Sequence, residues 1–177
     1  MAFGAYRREV FDRIGVFDEA LVRCQDDEFN YRLRKHGGKI FLTPRIRSTY
    51  YSRTRLGLLW QQYFQYGLWK IRVLQKHPTM MKLRQFVPPV FVLSLFGSLA
   101  LAPVWRPARI AAACIVAAYS AASVAYAIRI GRKRGLRFAA VLPIIFLILH
   151  LSYGLGFLYG MIKWMPRSVA ARMKRLR

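Results

Sequence analysis

The 177-residue chain holds seven carboxylate side chains, and all of them fall in its first 28 positions: Glu9, Asp12, Asp18, Glu19, Asp26, Asp27 and Glu28. Proton abstraction from a hydroxyl, carboxylate ligation of a metal and carboxylate recognition of a sugar hydroxyl are confined to that stretch. Its densest part is Asp26-Asp27-Glu28, inside the string Arg23-Cys24-Gln25-Asp26-Asp27-Glu28-Phe29-Asn30-Tyr31-Arg32-Leu33-Arg34. Acids that open a helical pattern sit where the helix dipole favours negative charge, and Asp26 has the position of an N-cap. A carboxylate there stays ionised at neutral pH and is able to accept a proton at hydrogen-bond range. Capping alone, worth ~1–2 kcal/mol with the dipole, is the competing reading. The two are compatible, because a cap fixes the carboxylate's direction. Cys24 and Cys114 have no metal or redox spacing. The chain contains no Asp-x-Asp pair and no glycine-rich phosphate loop ahead of a helix.

Several elements must position these acids. Arg7 to Ile14 reads as a short amphipathic helix with Val10, Phe11 and Ile14 on one face and Gly15 as its stop. Val16-Phe17-Asp18-Glu19 is a loop that buries an aromatic and exposes acids. A second helix starts near Asp26, repeats Phe29 and Leu33 at i, i+4, gathers Arg32, Arg34 and Lys35 toward its end, and stops at Gly37-Gly38. Lys39 to Leu42 is a short strand candidate before Pro44, and Arg45 to Tyr51 is a second. Leu56 to Gln75 has helical character, with a stripe of Leu59, Tyr63, Tyr66 and Trp69. Its aromatics, followed by Lys70, Arg72 and Lys76, suit a helix lying along a membrane surface. A globular helix packing those aromatics into its own core is the alternative.

Charge and hydropathy then divide the chain. The net charge is +23, and 26 of the 30 Lys and Arg lie beyond Glu28, where no acid occurs. In a soluble protein such a balance points to nucleic acid. Here the cations flank long apolar runs, which excludes nucleic acid and makes membrane lipid the partner. Residues 86–105, 110–128 and 138–162 are free of Lys, Arg, Asp and Glu and approach or exceed the length needed to span a bilayer. Pro88-Pro89 leaves the first run open to a broken or re-entrant path. By the positive-inside rule the loop of Arg129, Arg132, Lys133, Arg134 and Arg137 is cytoplasmic, as is Lys70 to Arg84. A third full crossing would then export the basic tail, 163–177, against the same rule. Gly154, Gly156 and Gly160 would permit either close helix packing or a break there.

Taken in order, Phe3-Gly4-Ala5-Tyr6-Arg7-Arg8, Ile14-Gly15-Val16-Phe17-Asp18-Glu19, the acidic string from Gln25 to Arg34, and Gly37-Gly38-Lys39-Ile40 resemble the acceptor-side half of a family 2 glycosyltransferase. The likeness is to the membrane-attached branch that builds succinoglycan-type bacterial exopolysaccharides. Trp60-Gln61-Gln62-Tyr63-Phe64-Gln65-Tyr66-Gly67 resembles that branch's Gln-x-x-Arg-Trp element, and a looser likeness reaches His150-Leu151-Ser152-Tyr153-Gly154. The resemblance implies an α/β, partial GT-A-like domain over 1–54, an interfacial helix and linker over 55–85, transmembrane helices over 86–162 and a basic tail over 163–177. It implies that Asp26 is the general base that takes the proton of the attacking sugar hydroxyl, although Asp27 could hold that register. Gln25 stands where the family has a glutamate. Asp27, Gln62, Gln65 and Tyr66 would line the acceptor and diphosphate side, with Arg53 or Arg55 supplying charge.

The complete enzyme would use a nucleotide-sugar donor with Mg or Mn and a lipid-linked glycan acceptor, from the cytoplasmic face of a bacterial inner membrane. The nucleotide-binding half of such an enzyme has no counterpart in this sequence. The chain is thus expected to hold no cofactor or metal by itself and to be inactive alone. A non-enzymatic remnant or accessory subunit that binds anionic lipid is the alternative.

Overall fold

The computed structural model describes residues 4–47, 49 and 55–175, with side chains through Trp164. They form six α-helices: α1 (Arg8–Ile14), α2 (Gln25–Lys35), α3 (Leu56–Lys76), α4 (Val87–Leu101), α5 (Arg106–Arg134) and α6 (Leu136–Arg175). Two 3₁₀ turns, Pro78–Met80 and Leu83–Gln85, lead from α3 to α4.

This overturns the α/β, GT-A-like expectation. Among the described residues there is no strand. The first strand candidate, Lys39 to Leu42, has no ladder partner among the described residues, and Phe41 is 86% exposed. A lone extended segment has no ladder partner for its N–H and C=O groups, so apolar residues alone do not make it a strand. The second candidate, Arg45 to Tyr51, opens in a turn formed by Pro44 and Arg45. Part of that candidate, together with Arg53, lies outside the described residues.

α1 and α2 close over a small aromatic core. Phe29 of α2 has no exposed surface, and its ring lies 4.8 Å from Tyr6, 5.3 Å from Phe11 and 4.5 Å from Phe17. The Tyr6 hydroxyl donates to Asn30 Oδ1 at 3.1 Å. Arg32 fixes the loop between the helices: its guanidinium donates to the carbonyls of Ile14 and Val16. Gly15 and Gly37, at φ 77 and 79, make the turns that leave each helix.

Three helices are long and apolar enough to cross a membrane: Leu83–Leu101, Arg106–Arg134 and Leu136–Trp164. Pro88 and Pro89 do not break the first of them. They occupy the first turn of α4, where a backbone N–H has no helical partner to lose. α5 and α6 are joined by the single residue Gly135 and fold back on each other, so that Gly131 meets Ala139 and Tyr119 meets His150.

α6 is the spine of the molecule, packing against α3, α4 and α5. Its glycines serve close packing, and the helix runs through them unbroken. Gly154 abuts Pro88 and Val92, Gly156 abuts the Phe64 backbone, and Gly160 abuts Leu68 and Ile71. From the other side, Gly67 of α3 abuts the backbone of Tyr153 and Phe157. The core of this interface is Leu68, Ile71, Phe157 and Trp164. α3 therefore buries Leu68 and Ile71, with Trp69 packed beside them, against another helix of the same chain.

Candidate functional site

Cys24 aims the acids. It precedes α2 with φ 64 and ψ 20, the one left-handed non-glycine among the described residues. That conformation costs a residue with a β-carbon ~1 kcal/mol or more and persists only where its surroundings hold it. The Cys24 carbonyl accepts the first helical bond, from Glu28 N, at 3.0 Å. α2 thus begins at Gln25. Asp26 is in the first turn and is not the N-cap, which corrects the capping expectation.

Asp26 and Asp27 open onto a cleft of about 590 Å³, with Cys24 beside them. α3 supplies Tyr63, Tyr66 and Lys70, which share a helix face by their i, i+3, i+7 spacing. Arg84, Gln85 and Pro88 line it where the chain enters α4, and Leu149, His150 and Tyr153 line it from α6. One wall is thus acidic, one belongs to α3, and the rest belong to helices long and apolar enough to cross a membrane.

Ion pairs lock the first wall onto α3. Lys70 is 6% exposed, and its ammonium donates to Asp27 Oδ2 at 2.9 Å. Glu28 is 2% exposed, and its Oε1 meets Arg32 Nε at 2.7 Å and His77 Nε2 at 2.8 Å. Lys76 pairs with Asp18. The Lys76 hydrogen bond holds the Asp18 carboxyl below the ordinary carboxylate range, against the opposing effect of burial. Burial pushes the Cys24 thiol up to about 11. It therefore stays protonated at neutral pH and is no nucleophile.

On α6, His150 Nδ1 lies 2.8 Å from the Phe146 carbonyl and 3.0 Å from the Tyr119 hydroxyl. Nδ1 therefore either donates to the carbonyl or accepts from the hydroxyl, according to which ring nitrogen carries the hydrogen. The Tyr153 hydroxyl is buried and has no hydrogen-bond partner.

Of the residues expected at the site, Asp26, Asp27 and Tyr66 come together in the cleft. Gln62 and Gln65 do not line it; Gln62 Nε2 donates to the Tyr66 hydroxyl at 2.7 Å, and Gln65 Oε1 accepts from Trp69 Nε1 at 3.1 Å. Gln62 thus reaches the cleft only through its bond to Tyr66. Arg53 lies outside the described residues. Arg55 precedes α3 as an exposed residue away from the cleft, whose cations are Lys70 and Arg84. Lys70 was legible as the continuation of the Tyr63–Tyr66 face. His150 stood out as the one ionisable group in its apolar run. Nothing in the sequence pattern marked Arg84.

No family model matches the chain, and no solved structure matches it. Two curated proteins are similar to it. Succinoglycan biosynthesis protein ExoA of Rhizobium meliloti (strain 1021) is 30% identical over 151 residues, which is 85% of this chain and 44% of that protein. Dolichyl N-acetyl-alpha-D-glucosaminyl phosphate 3-beta-D-2,3-diacetamido-2,3-dideoxy-beta-D-glucuronosyltransferase of Methanococcus voltae is 31% identical over 77 residues, 43% of this chain and 24% of that protein. The chain spans less than half the length of the curated relatives it matches. Over most of its own length, this chain is a homologue of a succinoglycan biosynthesis protein.

Proposed function

We propose that the chain forms the acceptor-binding, membrane-embedded part of an inverting, family-2-type glycosyltransferase that extends a bacterial exopolysaccharide. One relative is named for succinoglycan biosynthesis and the other as a sugar transferase, which supports the reading. The observation that carries it is the place of Asp26, in a cleft walled on one side by the first turn of α2 and elsewhere by α3, α4 and α6.

In this reading the acceptor's sugar hydroxyl lies against Asp26. The carboxylate takes the hydroxyl proton as the oxygen attacks the anomeric carbon of the donor sugar. The bond from that carbon to the nucleoside diphosphate breaks, and the diphosphate leaves with the bonding pair. The contacts of Asp27 with Lys70 and of Glu28 with His77 keep the first turn of α2 fixed against the end of α3, while Arg32 steadies Glu28 from within α2. Tyr66, held by Gln62, stacks or hydrogen-bonds the acceptor sugar. Mg or Mn accompanies the donor diphosphate. Among the described residues no group of three His, Cys, Asp or Glu fits such an ion.

The test is a chimera in which this chain replaces the matched segment of the Rhizobium meliloti protein, in cells that lack that protein. Restored succinoglycan synthesis, abolished by Asp26→Asn with the chimera still present in the membrane, is the expected result. Full synthesis with Asp26→Asn would remove Asp26 from the mechanism.

A further inference from the structure

Contacts between the long helices fix which of their ends lie together. The Phe91 ring of α4 stacks on Tyr119 of α5 at 4.7 Å, and the Tyr119 hydroxyl lies 3.0 Å from His150 Nδ1 of α6. Tyr119 is near the middle of α5, and His150 is midway between Leu136 and Trp164. α5 and α6 run antiparallel from Gly135, so Arg106 and Trp164 fall at one end, away from that joint. α3 runs parallel to the second half of α6. Gly156 meets Phe64, Gly160 meets Leu68 and Ile71, Trp69 lies 5.2 Å from Trp164, and Gln75 Nε2 donates to the Trp164 carbonyl at 3.1 Å. Lys76, which ends α3 and holds Asp18, therefore stands at the Trp164 end too. The chain from Lys76 to Arg106 leaves that end and comes back to it. α4 stays between the level of His150 and that end: Phe86 lies 5.6 Å from Phe157, Gly154 abuts Pro88 and Val92, and Leu99 and Ala102 share a groove with Arg109 and Ala112. As a helix of 15 residues it is ~22 Å long, short of a hydrocarbon layer of ~30 Å.

We propose that α5 and α6 alone cross the bilayer, that α4 with the turn Leu83–Gln85 enters it and returns on the same side, and that the head formed by α1 and α2 shares one face with the basic tail. This stands independently of the sugar-transfer reading. The lipid-facing surface is α5 and the first half of α6, joined from the head side by the exposed Val87, Val90, Leu93 and Phe96 of α4. Irregular backbone persists at membrane depth only where protein covers it or where it lines a watery cavity. The cleft is that cavity: Arg84 and Gln85 line it together with Asp26 and Asp27. Two crossings also keep the tail, 163–177, on the side of the head, because α6 delivers it beside Lys76. The loop from Arg129 to Arg137 and the segment from Lys70 to Arg84, which charge alone puts on one face, come to lie on opposite faces. The pairing of α3 with α6 overrides that count, since it fixes which helix ends are neighbours.

The experiment places single cysteines in the full chain, after Cys24→Gly and Cys114→Ala remove the native thiols. Sealed membrane vesicles are treated with a membrane-impermeant maleimide, and each variant is compared with Glu19→Cys in the exposed loop before α2. Val104→Cys, between α4 and α5, and Ser168→Cys, in the tail, should label from the same face as Glu19→Cys. Arg134→Cys, beside Gly135, should label from the other face. Opening the vesicles with detergent should make all four reactive. Pro103→Cys, in the same turn as Val104, serves as a second reporter if Val104→Cys is lost from the membrane. Three full crossings give the reverse pattern: Arg134→Cys labels with Glu19→Cys, while Val104→Cys and Ser168→Cys label from the other face. That pattern overturns the proposal. So does labelling of Val104→Cys or Pro103→Cys from the face opposite Glu19→Cys, which makes α4 a crossing helix. Labelling of all four from one face overturns it as well, because α5 and α6 would then not cross.

Discussion

The Lys70 ammonium reaches the Asp27 carboxylate across the junction of α3 and α2 at 2.9 Å, with the lysine side chain 7% exposed and the aspartate 50%. The two ends of this pair are therefore unequal. Removing the carboxylate strands a buried charge, whereas removing the ammonium leaves an aspartate that water can still reach. Asp27→Asn should lower stability by about 2–3 kcal/mol, and Lys70→Met by about 1 kcal/mol or less. Thermal unfolding of the two variants in detergent measures the difference. A costlier Lys70→Met would show that the pair's burden lies elsewhere.

The glycines of the α3–α6 contact should tolerate no side chain. A β-carbon at Gly156 would fall on the Phe64 carbonyl, and backbone cannot rotate away as a side chain would. Gly156→Ala should cost about 1–3 kcal/mol as the helices are forced apart. Gly97→Ala in α4 meets nothing within 4 Å and should gain about 0.5–1 kcal/mol from helix propensity. Melting temperatures that move in the same direction for both would contradict the packing described.

Cys24 offers a chemical test of the turn before α2. Cys24→Gly should be neutral or stabilising by up to ~1 kcal/mol because it releases the left-handed strain, and Cys24→Val should be the worse substitution. With its thiol pushed up to about 11 from 9.0, iodoacetamide should modify it about a hundredfold more slowly near neutral pH than an unperturbed cysteine. The rate should keep rising with pH until that value is passed. A rate that levels off near pH 9 would show the thiol to be solvated.

What could be read ahead of the structure followed from periodicity. The apolar runs marked the helices that suit a membrane, and Phe29 with Leu33 marked the buried side of α2. Gly15 and Gly37-Gly38 marked where the short helices stop. The strand candidates failed because a strand needs a partner, and the apolar residues Phe41 and Leu42 have none among the described residues. At the site, Asp26, Asp27 and Tyr66 were named on the family resemblance, and one cleft holds all three. Arg84 and Tyr153 were not legible as site residues. Their place in the cleft depends on how α3, α4 and α6 cross, and contacts between residues so far apart in sequence leave no periodic trace. The left-handed turn at Cys24 was equally silent, since a glycine or asparagine would normally announce it.

The single-residue joint at Gly135 also decides where charge collects. With φ 114 and no other residue between α5 and α6, the joint turns the chain straight back on itself. Arg129, Arg132, Lys133, Arg134 and Arg137 crowd its tip, and each resists passage through hydrocarbon. Whichever face of a bilayer takes the tip therefore takes one end of both helices and all five charges at once.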